Sequence, residues 1–305
     1  MPILDKKSKS DIRNQNLMAF IRRVHNRLDN NDIERYRSSQ DRIGEVFGAN
    51  KEIKITPVTI GEMPAEWVSA NRPHRKRNVI LYCHGGGYAT GSSVYARTLT
   101  TKLATSTSLD VLCFDYRLAP ENPFPAAHED ALKAWDYLML MGYGADEVIV
   151  AGDSAGGNLA LALGLRLKAA KRFLPRGFVL LSPWTDMTMS GKSYETRAEI
   201  DPILSKDYIK NVIQAYVPDH KKLDDPYISP LFGDFTDFPP TYIQVGDNEI
   251  FLSDATALYK NLRKAEVHAK LDIQKGMWHV YQMSPFKAAS LAMERNAEFI
   301  FAICR

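Results

Sequence analysis

"VAGDSAGGNLALALG", residues 150–164, joins an apolar run to a helix-like run through a knot of small residues. The run before it, "EVIVA" (147–151), is short and β-branched, as a strand covered on both faces is. The run after it, from Ala155 on, is rich in alanine and leucine and reads as a helix. Between them Gly152, Ser154 and Gly156 spell G-x-S-x-G, the pattern of a sharp strand-to-helix turn that holds a serine in a strained backbone. Side chains at the two glycine positions would collide across such a turn. The turn lifts the Ser154 hydroxyl to the rim of a sheet and sets it at a helix N-terminus, where the dipole favours developing negative charge. Ser154 is therefore the candidate nucleophile.

The rest of the chain repeats the same alternation. After "EIKITPVTI" (52–60) and "AEWVSA" (65–70) come the nearly wholly apolar "VILYC" (79–83) and "DVLCF" (110–114), then "GFVLLS" (177–182), "TYIQV" (241–245) and "HAKLDIQ" (268–274). Helical patterns run between and after them in "AAHEDALKAWDYLMLM" (126–141), in "SDATALYKNLRKAE" (253–266) and from about Pro285 to Ile303. Alternation of this kind predicts an α/β fold with a mostly parallel central sheet flanked by helices. Two regions stand apart from it. Leu17, Met18, Phe20, Ile21, Val24 and Leu28 carry helical spacing, so residues 1–48 are expected to form N-terminal cap helices. Residues 184–239 are irregular and rich in proline and aspartate around a helical middle near 205–217. A connection that long within a compact domain suits an active-site lid, leaving 49–183 and 240–305 as the core.

Composition excludes other classes. At 305 residues, 45% hydrophobic and 25% charged, the chain is neither disordered nor fibrous and has the size of one large α/β core. Its net charge is only +3, and the densest basic cluster, "NRPHRKR" (71–77), lacks the interleaved aromatics or basic helix of a nucleic-acid surface. No nucleic-acid partner is expected. Cys83, Cys113 and Cys304 are odd in number and have no CxxC spacing, as buried thiols of a reducing compartment would; no metal site is expected. "MPILDKKSKSD" at the start lacks the apolar stretch of a secretion signal, and no run of about 18 apolar residues occurs. The expectation is a cytoplasmic protein without stable membrane insertion.

A second motif follows the strand "VILYC". In "YCHGGGYATG" (82–91) three consecutive glycines let a loop bring backbone N–H groups close to a substrate oxygen. Two of Gly85, Gly86 and Gly87, with the Ala155 amide, are the candidate oxyanion hole; His84 is read as an orienter of the loop.

Five stretches in order carry a resemblance: "HGGGYATGS", "DYRLAPENPFPAA", "GDSAGGNLA", "LSPWTD" and "PPTYIQVGDNEIFLSDA". Together, over about residues 50 to 300, they resemble the hormone-sensitive-lipase-like carboxylesterases of the α/β-hydrolase fold. The resemblance implies hydrolysis of small-molecule esters with short acyl chains, acetyl to hexanoyl, beneath a helical cap and without a cofactor.

In this fold the triad runs serine, acid, histidine along the chain. After Ser154 come only His220, His268 and His279. His220 lies in the polar "VPDHKK", and His268 points away from the apolar face of its strand with Lys270 and Asp272. His279, on the loop after that strand, is placed to take and return the serine proton. The acid must follow "TYIQV", where Asp247, Glu249 and Asp254 are candidates; Asp254 beside Ser253 reads as a helix cap. The stretch "QVGDNEIFLSD" is similar to the family pattern "QVGxxE", which puts the acid on Glu249, with Asp247 as the alternative. Asp115, Arg117 and Glu121 look like the family's structural turn, joined as a buried ion pair, and Asp153 reads as scaffold. Tyr88 and Trp184 are candidate pocket walls. An amidase or acyltransferase on the same triad, or a non-catalytic ligand receptor on the same scaffold, are the alternative functions. Edge-strand pairing into a homodimer is a reasonable expectation.

Overall fold

Period-two burial builds the sheet from its middle. In the computed structural model, which describes Met18 and residues 33–48, 50–72, 77–217 and 222–304, Val79 and Leu81 face one side of strand β3 (Val79–Cys83) while Ile80 and Tyr82 face the other, all fully buried. Strands buried on both faces have no polar side to offer, so helices must cover both. Helices α3 (Ala126–Leu140), α4 (Ala155–Ala169) and α6 (Leu252–Lys264) cover the Val79 face through Trp135, Leu159 and Leu258. Helices α2 (Ser93–Thr107) and α7 (Lys287–Ile303) cover the Ile80 face through Leu99, Leu103 and Ile300.

Among the described residues the sheet has eight strands, numbered along the chain and ordered in space as β1-β2-β4-β3-β5-β6-β7-β8. Strands β1 (Ile53–Ile60) and β2 (Met63–Ala70) form an antiparallel hairpin with Ile60 opposite Met63, and Gly61 supplies the positive φ of its turn. β2 also pairs antiparallel with β4 (Asp110–Phe114). From β4 onward every pairing is parallel, through β3, β5 (Val148–Asp153), β6 (Gly177–Leu181), β7 (Thr241–Gly246) and β8 (Ala269–Gln274). The α/β sheet expected from the alternation is present and mostly parallel. In the edge strand β8 the expected apolar face holds for Val267, Ala269 and half-buried Leu271 but fails at Ile273, which is 45% exposed.

Two elements rise from the carboxyl edge of the parallel strands. Helix α1 (Ile33–Phe47) is fastened to the loops after β3 and β4: Arg37 donates to the carbonyls of Ala89 and Ala119, and the Gln40 side chain accepts the Gly91 amide at 3.1 Å. Leu17, Phe20, Ile21, Val24 and Leu28 lie outside the described residues, as do His220 and much of the basic cluster. Between β6 and β7 the chain makes a single turn at Ser193–Thr196 and then helix α5 (Lys206–Tyr216). Ser205 caps α5 by accepting the Tyr208 amide, and Ile209, Val212, Ile213 and Tyr216 form its buried stripe. Among the described residues no helix is long and apolar enough to cross a membrane.

Candidate active site

The site grows from the turn between β5 and α4. Ser154 holds φ 54° and ψ −120°, a conformation that surrounding contacts must enforce. A Cβ at Gly152 would strike the carbonyls of Gly156 and Cys83, and one at Gly156 the carbonyls of Cys83 and His84. The close approach of β3 to the turn therefore demands both glycines. The Ser154 amide donates to the Leu181 carbonyl at 2.9 Å, which ties the turn to β6.

Ser154 meets two residues from distant parts of the chain. The imidazole of His279, on the loop after β8, lies with Nε2 3.0 Å from Ser154 Oγ and Nδ1 2.8 Å from Glu249 Oε2. A carboxylate only accepts, so Nδ1 carries the proton and Nε2 is left as an acceptor for the serine hydroxyl. Glu249 is fully buried just beyond β7, and its Oε1 accepts the Gly246 amide. Burial pulls the His279 pKa down, but the hydrogen bond and charge of Glu249, with the charges of Asp201 and Asp153, outweigh it and raise the imidazole above its usual value. The Phe251 ring stands edge-on to the imidazole, 5.1 Å away.

The other candidate acids are occupied elsewhere. Asp247 turns to the Gly276 amide at 2.6 Å, closing the loop that leads to His279. Asp254 sits in the first turn of α6 but does not cap it. Its Oδ2 accepts the amides of Thr185 and Asp186 at 2.8 and 2.9 Å, so it anchors the chain that follows Trp184. His268 is exposed.

The three glycines of the loop differ in their surroundings, and Gly85 is the one already bonded within the protein. Its amide is engaged by Asp153 Oδ1 at 3.0 Å, and a Cβ there would strike that carboxylate. Gly86 and Gly87, at φ 112° and 65°, face the cavity beside Ser154, and Ala155 opens α4 where helix amides have no intrahelical partner. Burial pushes Asp153 up to about 6 against the lowering effect of its bond from Tyr82. His84 is buried, donates from Nδ1 to the Gly85 carbonyl at 2.8 Å and stacks on Tyr116 with ring centroids 4.0 Å apart. Burial lowers its pKa to about 4, a neutral prop for the loop.

A cavity of about 360 Å³ opens over Ser154. Trp184 lines it, stacked on Phe251, together with Ile203, Leu204, Tyr208 and Val212 from the 184–239 segment and Ser39, Gln40 and Ile43 from α1. Tyr88 does not line it. At φ 62° its ring turns into the core, stacked on Tyr216 at 3.9 Å with its hydroxyl 2.7 Å from Asn158 Oδ1. The expected turn pairing also differs. Arg117 pairs with buried Asp130 and with Glu129, Glu121 pairs with Arg37 of α1, and Asp115 accepts the Ser93 amide. Ile203, Leu204 and Ile43 escaped the sequence reading because a hydrophobic residue in a lid looks like any core residue until its cavity is known. Among the described residues no group of three His, Cys, Asp or Glu side chains is placed to hold a metal ion.

Comparison with known proteins finds relatives of the same fold. A family model described as the alpha/beta hydrolase fold matches residues 80–283. An esterase of Acinetobacter venetianus is 34% identical over 261 residues, covering 85% of this chain and 86% of that protein. An acetyl-hydrolase of Streptomyces hygroscopicus is 37% identical over 260 residues, 83% of each. The crystal structure of an esterase from the bacterial hormone-sensitive lipase family superposes with a TM-score of 0.90 at 32% identity, over 98% of this chain and 99% of that one. With this family model over residues 80–283 and relatives above 30% identity over most of the chain, the chain belongs to the α/β-hydrolase fold family, on its hormone-sensitive-lipase branch.

Proposed function

We propose that this chain is a serine carboxylesterase acting on short-chain acyl esters, with Ser154 as nucleophile, His279 as base and Glu249 as the acid that orients it. One observation carries the reading: the unbroken line from Ser154 Oγ through both imidazole nitrogens to Glu249, at 3.0 and 2.8 Å. His279 Nε2 takes the hydroxyl proton as Oγ attacks the ester carbonyl, and Glu249 stabilises the imidazolium without accepting its proton. The oxygen of the tetrahedral intermediate is met by the amides of Gly86, Gly87 and Ala155. Collapse returns the proton to the departing alcohol and leaves an acyl-serine, which water cleaves by the same steps.

Helix α1 and residues 184–239 act as the lid over this chemistry. A cavity of about 360 Å³ is at the small end of ligand pockets, roughly 300–1,000 Å³, which supports acetyl to hexanoyl acyl groups. Relatives named acetyl-hydrolase and ethyl acetate hydrolase point the same way. The buried free thiols Cys83 and Cys113 support a reducing, cytoplasmic setting.

A panel of p-nitrophenyl esters from two to about twelve acyl carbons tests the reading. Turnover is expected to peak at short chains, and Ser154→Ala is expected to abolish it with the fold intact. Retained turnover in that variant, or a preference for the longest chains, overturns the assignment.

A further inference from the structure

A second serine bonds both the acid and the backbone next to the base. Ser182, directly after β6, is fully buried, and its Oγ lies 2.8 Å from Glu249 Oε1 and 3.1 Å from the Val280 amide. The amide brings its own proton, so the single Ser182 hydroxyl proton is directed at the carboxylate. Glu249 Oε1 thus receives Ser182 and Gly246, which leaves Oε2 to face His279 Nδ1.

The backbones on either side of this contact are held in unusual shapes. Ser182 has φ 49° and Val280, the residue after His279, has φ 48°. A β-branched residue in the left-handed region is strained and persists only where its surroundings enforce it. At Val280 the enforcing bond is the one from its amide to Ser182 Oγ. Ser182 is itself anchored by its amide, which donates to the Gln244 carbonyl at 2.7 Å on β7. A rigid sheet end, a hydroxyl, the acid and the loop bearing the imidazole are therefore linked in series.

We propose that Ser182 is a positioning residue for the ester hydrolysis proposed above: one hydroxyl aims Glu249 at the imidazole and pins the backbone that presents it. The proposal rests on that reading of Ser154, His279 and Glu249. Ser182 touches no substrate and moves no proton in the cycle; it acts through the pair. The carboxylates that bear on the imidazole are Glu249, Asp201 and Asp153, and Glu249 is the one whose bond comes from Ser182. A Glu249 that loses this donor concentrates its charge on the ring and raises the imidazole pKa further.

Ser182→Ala and Ser182→Gly in the full chain, assayed with p-nitrophenyl butyrate from about pH 5 to about pH 9, test it. In both variants kcat is expected to fall about 10- to 100-fold, the scale of one hydrogen bond to a charged group, with KM within about twofold. The acid limb of the kcat/KM profile is expected to move to higher pH. Glycine suits the left-handed backbone of position 182, so Ser182→Gly is expected to keep the thermal midpoint of the parent while still losing turnover. Unchanged kcat, or an activity loss that merely follows loss of folded protein with the acid limb unmoved or lowered, overturns the proposal. Ser154→Ala measured alongside separates the two claims. Turnover in Ser154→Ala defeats the esterase reading itself, whereas an inactive Ser154→Ala with unaltered Ser182 variants defeats only the role of Ser182.

Discussion

The Asp153 carboxylate accepts the Gly85 amide at 3.0 Å and the Tyr82 hydroxyl at 2.7 Å, so the residue before Ser154 also fastens the glycine loop facing it. Asp153→Ala is expected to loosen the Gly86 and Gly87 amides and lower kcat by about tenfold or more, part of the loss of a whole oxyanion donor. Steady-state kinetics with p-nitrophenyl acetate check this; kcat within about twofold of the parent contradicts it.

Burial raises the carboxyls of Asp153 and Asp201 from 3.8 to about 6. A group whose folded pKa is raised contributes stability that is fully present below its unfolded pKa and lost as pH rises through its folded pKa. Both groups are therefore expected to favour the fold most below pH 3.8 and to withdraw that contribution by about pH 6. Asp153→Asn keeps an acceptor oxygen and removes the titration. Urea midpoints measured across this window should fall less steeply with pH in the variant than in the parent, and identical slopes would count against the assignment.

The imidazole of His279 is raised above 6.5 by Glu249 in spite of its burial. The acid limb of kcat/KM is expected above pH 6.5 for the parent. Glu249→Gln removes the charge and leaves an amide that can favour the wrong tautomer, so kcat should drop by about 10³- to 10⁴-fold. Asp247→Asn should cost under about threefold, because its carboxyl serves only the Gly276 amide. Comparing the two variants by kcat decides between the acids, and the reverse ranking would move the role to Asp247.

The cavity wall makes a different pair diagnostic. Leu204 faces the space above Ser154, whereas Tyr88 is packed against Tyr216 behind it. Leu204→Trp is expected to shift the acyl-length optimum toward acetyl esters. Tyr88→Phe should leave that optimum in place and lower stability by about 1 kcal/mol through the stranded Asn158 oxygen. The ester panel and a denaturation curve on each variant read both effects; a length shift in Tyr88→Phe would return Tyr88 to the pocket wall.

Local order in the chain was enough to specify the strand, the serine turn and the helix around residues 147–169, because steric demands at Gly152 and Gly156 act between near neighbours and leave a mark in residue type. Apolar runs such as "VILYC" likewise announced strands covered on both faces. Elimination points to His279 and family resemblance to Glu249, but only the fold sets the two 2.8 Å apart across 30 residues. The division of work in the glycine loop was beyond local reading, since Gly85, Gly86 and Gly87 are chemically alike and only Asp153, 68 positions away, distinguishes the first. The same holds for Tyr88, turned inward by a backbone angle, for Arg117, whose partners are Asp130 and Glu129 and not its neighbours in the turn, and for the hydrophobic walls of the cavity. Patterns of residue type record what a side chain must avoid or bury; which partner it meets depends on the crossing of distant segments, and that is settled only when the chain packs.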